Sequence, residues 1–109
     1  IKHYKRMAWV YLIGEDECLN RFKIGVTTAK NIETRLKKLQ TGNSNQLYIK
    51  EKFETDKPFK LEKMLHNYYK DKKLINEWFE FDEKSLNDFT TICYNFQNII
   101  NSLRNNPFF

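Results

Sequence analysis

The sequence predicts an α/β (α+β) domain in which a small three-stranded antiparallel sheet is flanked by helices, in the order β-β-α-β-α-α. Two β-prone runs, 7–13 and 21–26, lie close together with only a polar segment between them. A third alternating run, 46–54, separates two segments that show the apolar spacing of helices. A longer helical pattern ends the chain. The three strands would form a sheet, and the helices would pack against it.

The first two strands are expected to form a hairpin. "MAWVYLI" (7–13) is an unbroken β-prone run, and "RFKIGV" (21–26) alternates apolar and polar residues. The segment between them, "GEDECLN" (14–20), is polar and typical of a loop. We therefore predict an antiparallel pair joined by this loop.

The first helix follows the hairpin and has clear end signals. Asn31 is a good N-cap, Glu33 lies in the first turn, and Gly42 follows the last apolar residue. Its predicted buried stripe consists of Ile32, Leu36 and Leu39. Arg35 lies about 40° from Leu39, at the border of that stripe. A planar guanidinium is preferred where two parallel hydrogen bonds to a phosphate or carboxylate are needed.

The second half of the chain predicts one strand and two further helices. "QLYIKEKFE" (46–54) should be the third strand, and "DKPFKLEKMLHNYYK" (56–70) a helix with Pro58 in its first turn. "NEWFEF" (76–81) is expected to be a short extended or tightly turned segment. The last helix, about 85–104, should start at a capping box formed by Ser85 and Asp88.

The apolar spacing of the last helix leaves two interpretations. It resembles a heptad pattern, but for fewer than three heptads, so a helix packed on the sheet is favoured over a coiled coil. A dimer seam along this helix is the alternative, and we expect a monomer.

Composition indicates a folded basic protein. The 109 residues suffice for one domain, and 40% are hydrophobic. Residues 1–73 contain 17 Lys and Arg against 9 Asp and Glu, whereas residues 74–109 contain 2 against 5. Such a basic region favours polyanions, including nucleic acid, although a lysine-rich solvated surface explains the charge equally well.

Composition also bears on location. Cys18 and Cys93 are too few for a disulfide scaffold, so a reduced, intracellular protein is expected. No apolar run approaches the roughly 20 residues of a membrane helix, so no membrane partner is expected. The chain does not start with methionine, which leaves open a lost targeting segment or a fused targeting domain.

Four residues are candidates for chemistry: Tyr11, Lys23, Arg35 and Glu62. Glu62 lies about 60° from Leu65, beside the apolar stripe of its helix. Taken alone, Glu62 is better explained as the polar edge of a core, and Tyr11 as an ordinary strand residue. Lys23 alone is one lysine among many. Only their combination points to a site.

In combination, these residues resemble the GIY-YIG nuclease superfamily, in the branch found in phage and large DNA-virus proteins. Its first motif corresponds to "WVY" (9–11) and its second to "KIG" (23–25). The motif arginine falls on Arg35 and the metal-binding glutamate on Glu62. "LEKMLHNYY" and "NEWFEF" are also similar to that branch. The resemblance implies one domain over 1–109, with a motif-bearing core at about 8–82.

The resemblance implies an Mg²⁺-dependent (or Mn²⁺-dependent) DNA endonuclease that hydrolyses phosphodiester bonds with a single metal ion. Glu62 would bind the ion, and Arg35 would neutralise charge on the phosphoryl oxygens. Tyr11 would act as the general base or as the hydrogen-bond partner that orients the attacking water. Lys30, Lys37 and Lys38 are candidates for contacts with the DNA backbone.

Two departures from the family pattern leave alternatives open. Trp9 replaces the glycine of the first motif, and Lys23 replaces the tyrosine of the second, which removes a phenol from the site. His66 either positions Glu62 or a phosphate, or is an ordinary helix histidine near Tyr69. The competing interpretation is a weakly active or inactive DNA-binding or adaptor module. An interaction domain that dimerises through the last helix is a third.

Overall fold

The computed structural model describes residues 7–104 and 106–108. The elements in chain order are β1 (Ala8–Glu15), β2 (Cys18–Thr27), α1 (Ile32–Gln40), β3 (Leu47–Thr55), α2 (Pro58–Tyr68), a 3₁₀ turn (Lys70–Lys72), β4 (Trp78–Glu80) and α3 (Glu83–Ser102). No helix in this described part is long and apolar enough to span a membrane.

Among the described residues, the sheet contains four antiparallel strands in the order β3-β1-β2-β4, so the expectation of three strands is wrong. The extra strand comes from "NEWFEF": β4 pairs with β2, placing Phe79 opposite Phe22. Three residues carry too little alternation to identify a strand from sequence. This one exists because the edge of β2 offers it backbone partners and the core offers a place for Phe79.

The hairpin is confirmed, but its connection is much shorter than the expected loop at 14–20. β1 continues to Glu15 and β2 starts at Cys18, with a register shift between Gly14 and Glu15. β2 begins with polar residues such as Asn20 because this end of the strand is exposed to solvent and needs no apolar side chains.

β1 is the central strand of a core with two sides, which explains its unbroken apolar sequence. Val10 and Leu12 belong to a cluster with buried residues of α2 and α3. Tyr11 and Ile13 point the other way and pack with Ile32 of α1. The sheet therefore lies between α1 on one face and α2 with α3 on the other.

The helix ends show one confirmed cap and one corrected cap. The Asn31 side chain accepts a hydrogen bond from the Glu33 amide at 2.9 Å, as expected. The predicted cap at Ser85 is wrong: Asp82 is the N-cap of α3, and its carboxylate accepts from the Ser85 amide at 2.8 Å. Asp82 competes better because its backbone is extended, whereas Ser85 lies inside the helix and is buried.

Candidate active site

Tyr11, Arg35 and Glu62 line one cleft of about 390 Å³. They come from β1, α1 and α2 respectively, so the chain brings together three elements to form this surface. The remaining lining residues are Val26, Thr27, Thr28, Phe59 and Glu77.

Tyr11 and Arg35 are in direct contact. The Nε of Arg35 donates a hydrogen bond to the Tyr11 hydroxyl at 3.3 Å. Tyr11 is fully buried, and its ring lies over Gly25, its partner in the β1–β2 ladder. A Cβ at position 25 would lie 2.6 Å from Tyr11 Cζ. The glycine of "KIG" is therefore what allows the phenol to reach Arg35.

Burial raises the pKa of the Tyr11 phenol above its usual range, and the hydrogen bond from Arg35 only partly opposes this. The same hydrogen bond raises the pKa of Arg35. At neutral pH the pair is thus a neutral phenol beside a guanidinium cation. Because the phenol oxygen accepts from Arg35, its own proton is left to donate to a different group.

The carboxylate of Glu62 is only partly accessible. Burial raises its pKa; His66 opposes this shift, Glu77 adds to it, and Lys23 opposes it. His66 Nε2 lies 4.0 Å from Glu62 Oε2, one turn along α2. The Glu62 carboxylate thus lies where binding of a cation would relieve an unfavourable burial.

His66 holds the edge of β2. Its Nε2 lies 3.1 Å from the carbonyl oxygen of Ile24, and because a carbonyl only accepts, this nitrogen bears the proton. Its ring meets Phe79 edge-on, with centroids 5.0 Å apart. His66 is not among the residues that line the cleft, although it adjoins Glu62 on α2.

Lys23 does not line the cleft but contacts Glu77, which does. The Lys23 ammonium lies 3.3 Å from Glu77 Oε2. Glu77 is held by its backbone: its carbonyl accepts from the Ile24 amide at 3.1 Å, and Asn76 before it has a φ of 55°. Glu77 is not among the candidates that the sequence provides. It is identified by its position directly before β4, and that strand is recognised only in the structure.

Trp9 packs on the same side of the sheet as Tyr11. It is partly buried against the cluster that contains Tyr11 and Ile13, and the Lys52 ammonium lies 5.1 Å from its ring centroid. A bulky residue at this motif position is thus accommodated by packing and leaves the Tyr11–Arg35 contact in place.

A second, larger cleft of about 810 Å³ adjoins the first and shares Thr27, Thr28 and Arg35 with it. Lys30 and Lys38 line it. Lys37 is exposed on α1 but is not among the lining residues. Two of the three candidate lysines therefore border a groove that leads to Arg35.

The donor set suits a hard divalent cation. No group of three or more His, Cys, Asp or Glu side chains in residues 7–104 and 106–108 is arranged to hold a metal ion. The cleft instead offers two carboxylates, Glu62 and Glu77, which are the oxygen ligands that Mg²⁺ prefers. Mg²⁺ keeps several waters and needs few protein ligands, so these residues fit it.

Comparison with known proteins identifies one family. The family model of the T5orf172 domain matches residues 8–93. The chain has no significant match among curated proteins or among solved structures. Because the matched segment covers most of the chain, including the β1, α1 and α2 residues of the cleft, this protein belongs to the T5orf172 domain family, a phage-associated family related to nucleases.

Proposed function

We propose that this protein is an Mg²⁺-dependent DNA endonuclease with a GIY-YIG-type site. The main support is a single observation: Arg35, hydrogen-bonded to Tyr11, shares a cleft with the Glu62 carboxylate. This is the combination that phosphodiester hydrolysis requires, with a cation site, a guanidinium and a polar group for the nucleophile. Membership of a nuclease-related family supports the same conclusion.

Glu62 would hold the metal ion, with Glu77 as the neighbouring carboxylate. A bound Mg²⁺ or Mn²⁺ ion would polarise the phosphate and favour ionisation of a bound water. Burial raises the pKa of Glu62, so its ionised carboxylate is disfavoured there unless a cation compensates the charge, which favours cation binding.

Arg35 would bind the phosphate oxygens. Its Nε is occupied by Tyr11, which orients the guanidinium and leaves the terminal nitrogens for a ligand. Arginine contacts of this type contribute roughly 10³–10⁵ in rate to other phosphoryl transfers. Arg35 thus opposes the charge that develops as water attacks the phosphorus.

Tyr11 would orient the attacking water. Its raised pKa and its role as acceptor from Arg35 leave a neutral O–H that can donate to the attacking water. We assign Tyr11 this orienting role in preference to that of general base. Lys23 acts through Glu77 by balancing its charge, and His66 supports the β2 edge beside Glu62.

The DNA backbone would cross the basic groove beside the cleft. Lys30 and Lys38 line this groove, and Lys37 projects from the same helix. These cations would contact phosphates on one side of the scissile bond and position the strand without reading its sequence.

We propose a single domain that acts as a monomer inside cells, alone or attached to a targeting domain.

The second candidate function is a DNA-binding module with little turnover. This function is favoured by the residue at position 23, where Lys23 forms an ion pair with Glu77 and no second phenol is present.

A nicking assay on supercoiled plasmid tests the function. We expect nicking that requires Mg²⁺ or Mn²⁺ and that is lost in Glu62→Gln but kept in Glu54→Gln, an exposed carboxylate on β3. Mg²⁺ should also raise the unfolding temperature of the wild type and not of Glu62→Gln; at 100 times Kd this stabilisation is about 2.7 kcal/mol.

Two results would contradict the proposal. Nicking by Glu62→Gln at the wild-type rate would exclude this cleft as the site. Salt-sensitive DNA binding with no cleavage in either metal would identify the protein as the DNA-binding module instead.

A further inference from the structure

Phe59 is an exposed aromatic residue at the candidate active site. It lies in the first turn of α2 and is 66% exposed, whereas Phe22, Phe79 and Phe89 are buried. It lines the cleft, three residues before Glu62 on the same helix. A ring in this position contributes little to the core.

The core does not explain Phe59. The buried residues of α2 are Leu61 and Leu65, which face the sheet. Isolated exposed aromatics are common on protein surfaces, and Tyr94 on α3 is one here. Phe59 differs because its ring forms part of a cleft whose other walls include a guanidinium and a carboxylate.

We propose that Phe59 is a stacking platform for an unpaired nucleotide base next to the phosphate held by Arg35. This inference rests on the proposed function. The face of a phenyl ring stacks on any base and does not require a particular sequence. In an intact duplex each base face is covered by its neighbours, so stacking here requires a single strand, a junction or a flipped-out nucleotide.

The charges around Phe59 favour a nucleic-acid strand over an apolar protein segment. Arg35 and Glu62 share its cleft, and Lys30 and Lys38 line the adjoining groove. An apolar protein segment that covers Phe59 would remove these charges from water without compensation. A strand of nucleic acid offers phosphates to the cations and an aromatic base to Phe59.

A double-mutant cycle tests the stacking. Binding is measured by fluorescence anisotropy without divalent metal, for oligothymidine and for an abasic strand with the same number of phosphates. The proteins are the wild type and Phe59→Ala. We expect Phe59→Ala to weaken oligothymidine binding by about 5- to 150-fold and to leave binding of the abasic strand unchanged.

Matched variants complete the experiment. Phe59→Trp should retain the preference for the strand with bases, and Tyr94→Ala should bind as the wild type does. Affinity for a duplex of the same length should not change in Phe59→Ala. Unfolding temperatures of both alanine variants should equal that of the wild type, since both side chains are exposed.

The outcomes separate the two proposals. Equal losses for both strands would overturn base stacking, while Glu62-dependent nicking would still support the nuclease. A large fall in unfolding temperature with unchanged affinity would show that Phe59 is covered by protein and would also overturn stacking. Absence of binding to every strand and duplex would overturn both proposals.

Discussion

Arg35 uses one donor within the protein and leaves the others for a ligand. Its Nε is bound to the Tyr11 hydroxyl, which in turn is fixed by its packing over Gly25. A lysine at this position would keep the charge but has no planar fork with which to bind the phenol and a phosphate together. The choice of arginine at the border of the α1 stripe is thus explained by geometry and not by charge alone.

Replacing Arg35 by lysine tests this explanation. We expect Arg35→Lys to slow plasmid nicking by about 10³-fold or more, because the oriented donors are lost, and to weaken DNA binding less than about tenfold. Single-turnover cleavage and anisotropy give the two values. Arg21→Lys, the same change on β2 outside the cleft, should cleave normally. Equal losses in binding and rate would show that Arg35 contributes only charge.

Burial of Cys93 predicts how the free energy of unfolding depends on pH. Burial raises the pKa of its thiol to about 12, whereas a thiol in the unfolded chain titrates near 9. Above pH 9 the unfolded chain therefore loses a proton that the folded chain keeps, and the free energy of unfolding falls as pH rises.

Denaturant unfolding at pH 7 and pH 10 measures this effect. The Cys93 contribution should amount to about 1.4 kcal/mol at pH 10, and Cys93→Val should lack it. Cys18→Ala is the matched control, since it removes the other cysteine and leaves Cys93 in place. An unchanged pH dependence in Cys93→Val would show that the thiol is accessible to water in the folded protein.

At the scale of elements, the hairpin of β1 and β2 forms the floor of the site. Register places Tyr11 opposite Gly25, and β4 joins β2 where Lys23 meets Trp78. Beyond this point the β2 edge is completed by the Glu77 carbonyl and by His66. The short length of β4 thus leaves room at the β2 edge for α2 to bring Glu62 to the cleft.

Two glycine substitutions test the role of the hairpin. Gly25→Ala should cost about 1–3 kcal/mol and reduce nicking strongly, because its Cβ overlaps the Tyr11 ring. Gly42→Ala is the matched control, since a Cβ built there has no heavy atom of the described residues within 4 Å apart from those of its chain neighbours. Thermal unfolding and the nicking assay provide both readouts. A stable, active Gly25→Ala variant would mean that the phenol need not lie where the structure has it.

At the scale of the whole molecule, charge and architecture are correlated. The basic residues Lys30, Arg35 and Lys38 lie at the clefts on the α1 side, whereas α3, on the opposite face, carries Glu83 and Asp88 against one lysine, Lys84. A polyanion approaching the α1 side therefore meets cations first. α3 itself is held to the end of β3 by a hydrogen bond from Gln97 to Asp56, and Arg104, just after α3, forms an ion pair with Asp56 at 2.7 Å.

The salt dependence of DNA binding tests this arrangement. Each lost phosphate contact should reduce the slope of log affinity against log salt by about one. We expect this reduction in Lys30→Gln and in Lys38→Gln. Lys84→Gln should keep the full slope, because Lys84 is paired with Asp88 at 2.9 Å on α3. Identical slopes for all three variants would place the DNA elsewhere.

Much of the fold could be predicted because local signals were strong. The unbroken run of β1, the Asn31 cap and the apolar spacing of α2 each identify an element without reference to the rest of the chain. The fourth strand has no such signal, because β4 exists through pairing with distant β2. The cap of α3 is a different case: Ser85 fits a local capping pattern, but Asp82, three residues earlier, accepts the hydrogen bond from the Ser85 amide.

For the site, residue type and spacing along single elements are enough to identify Tyr11, Arg35 and Glu62 and their order in the chain. Their meeting in one cleft with Glu77 and Phe59, and the contacts of Lys23 with Glu77 and of His66 with Ile24, can be read only from the three-dimensional structure. Sheet register and helix packing determine which side chains meet. Both result from contacts between residues far apart in the chain, which no local pattern specifies.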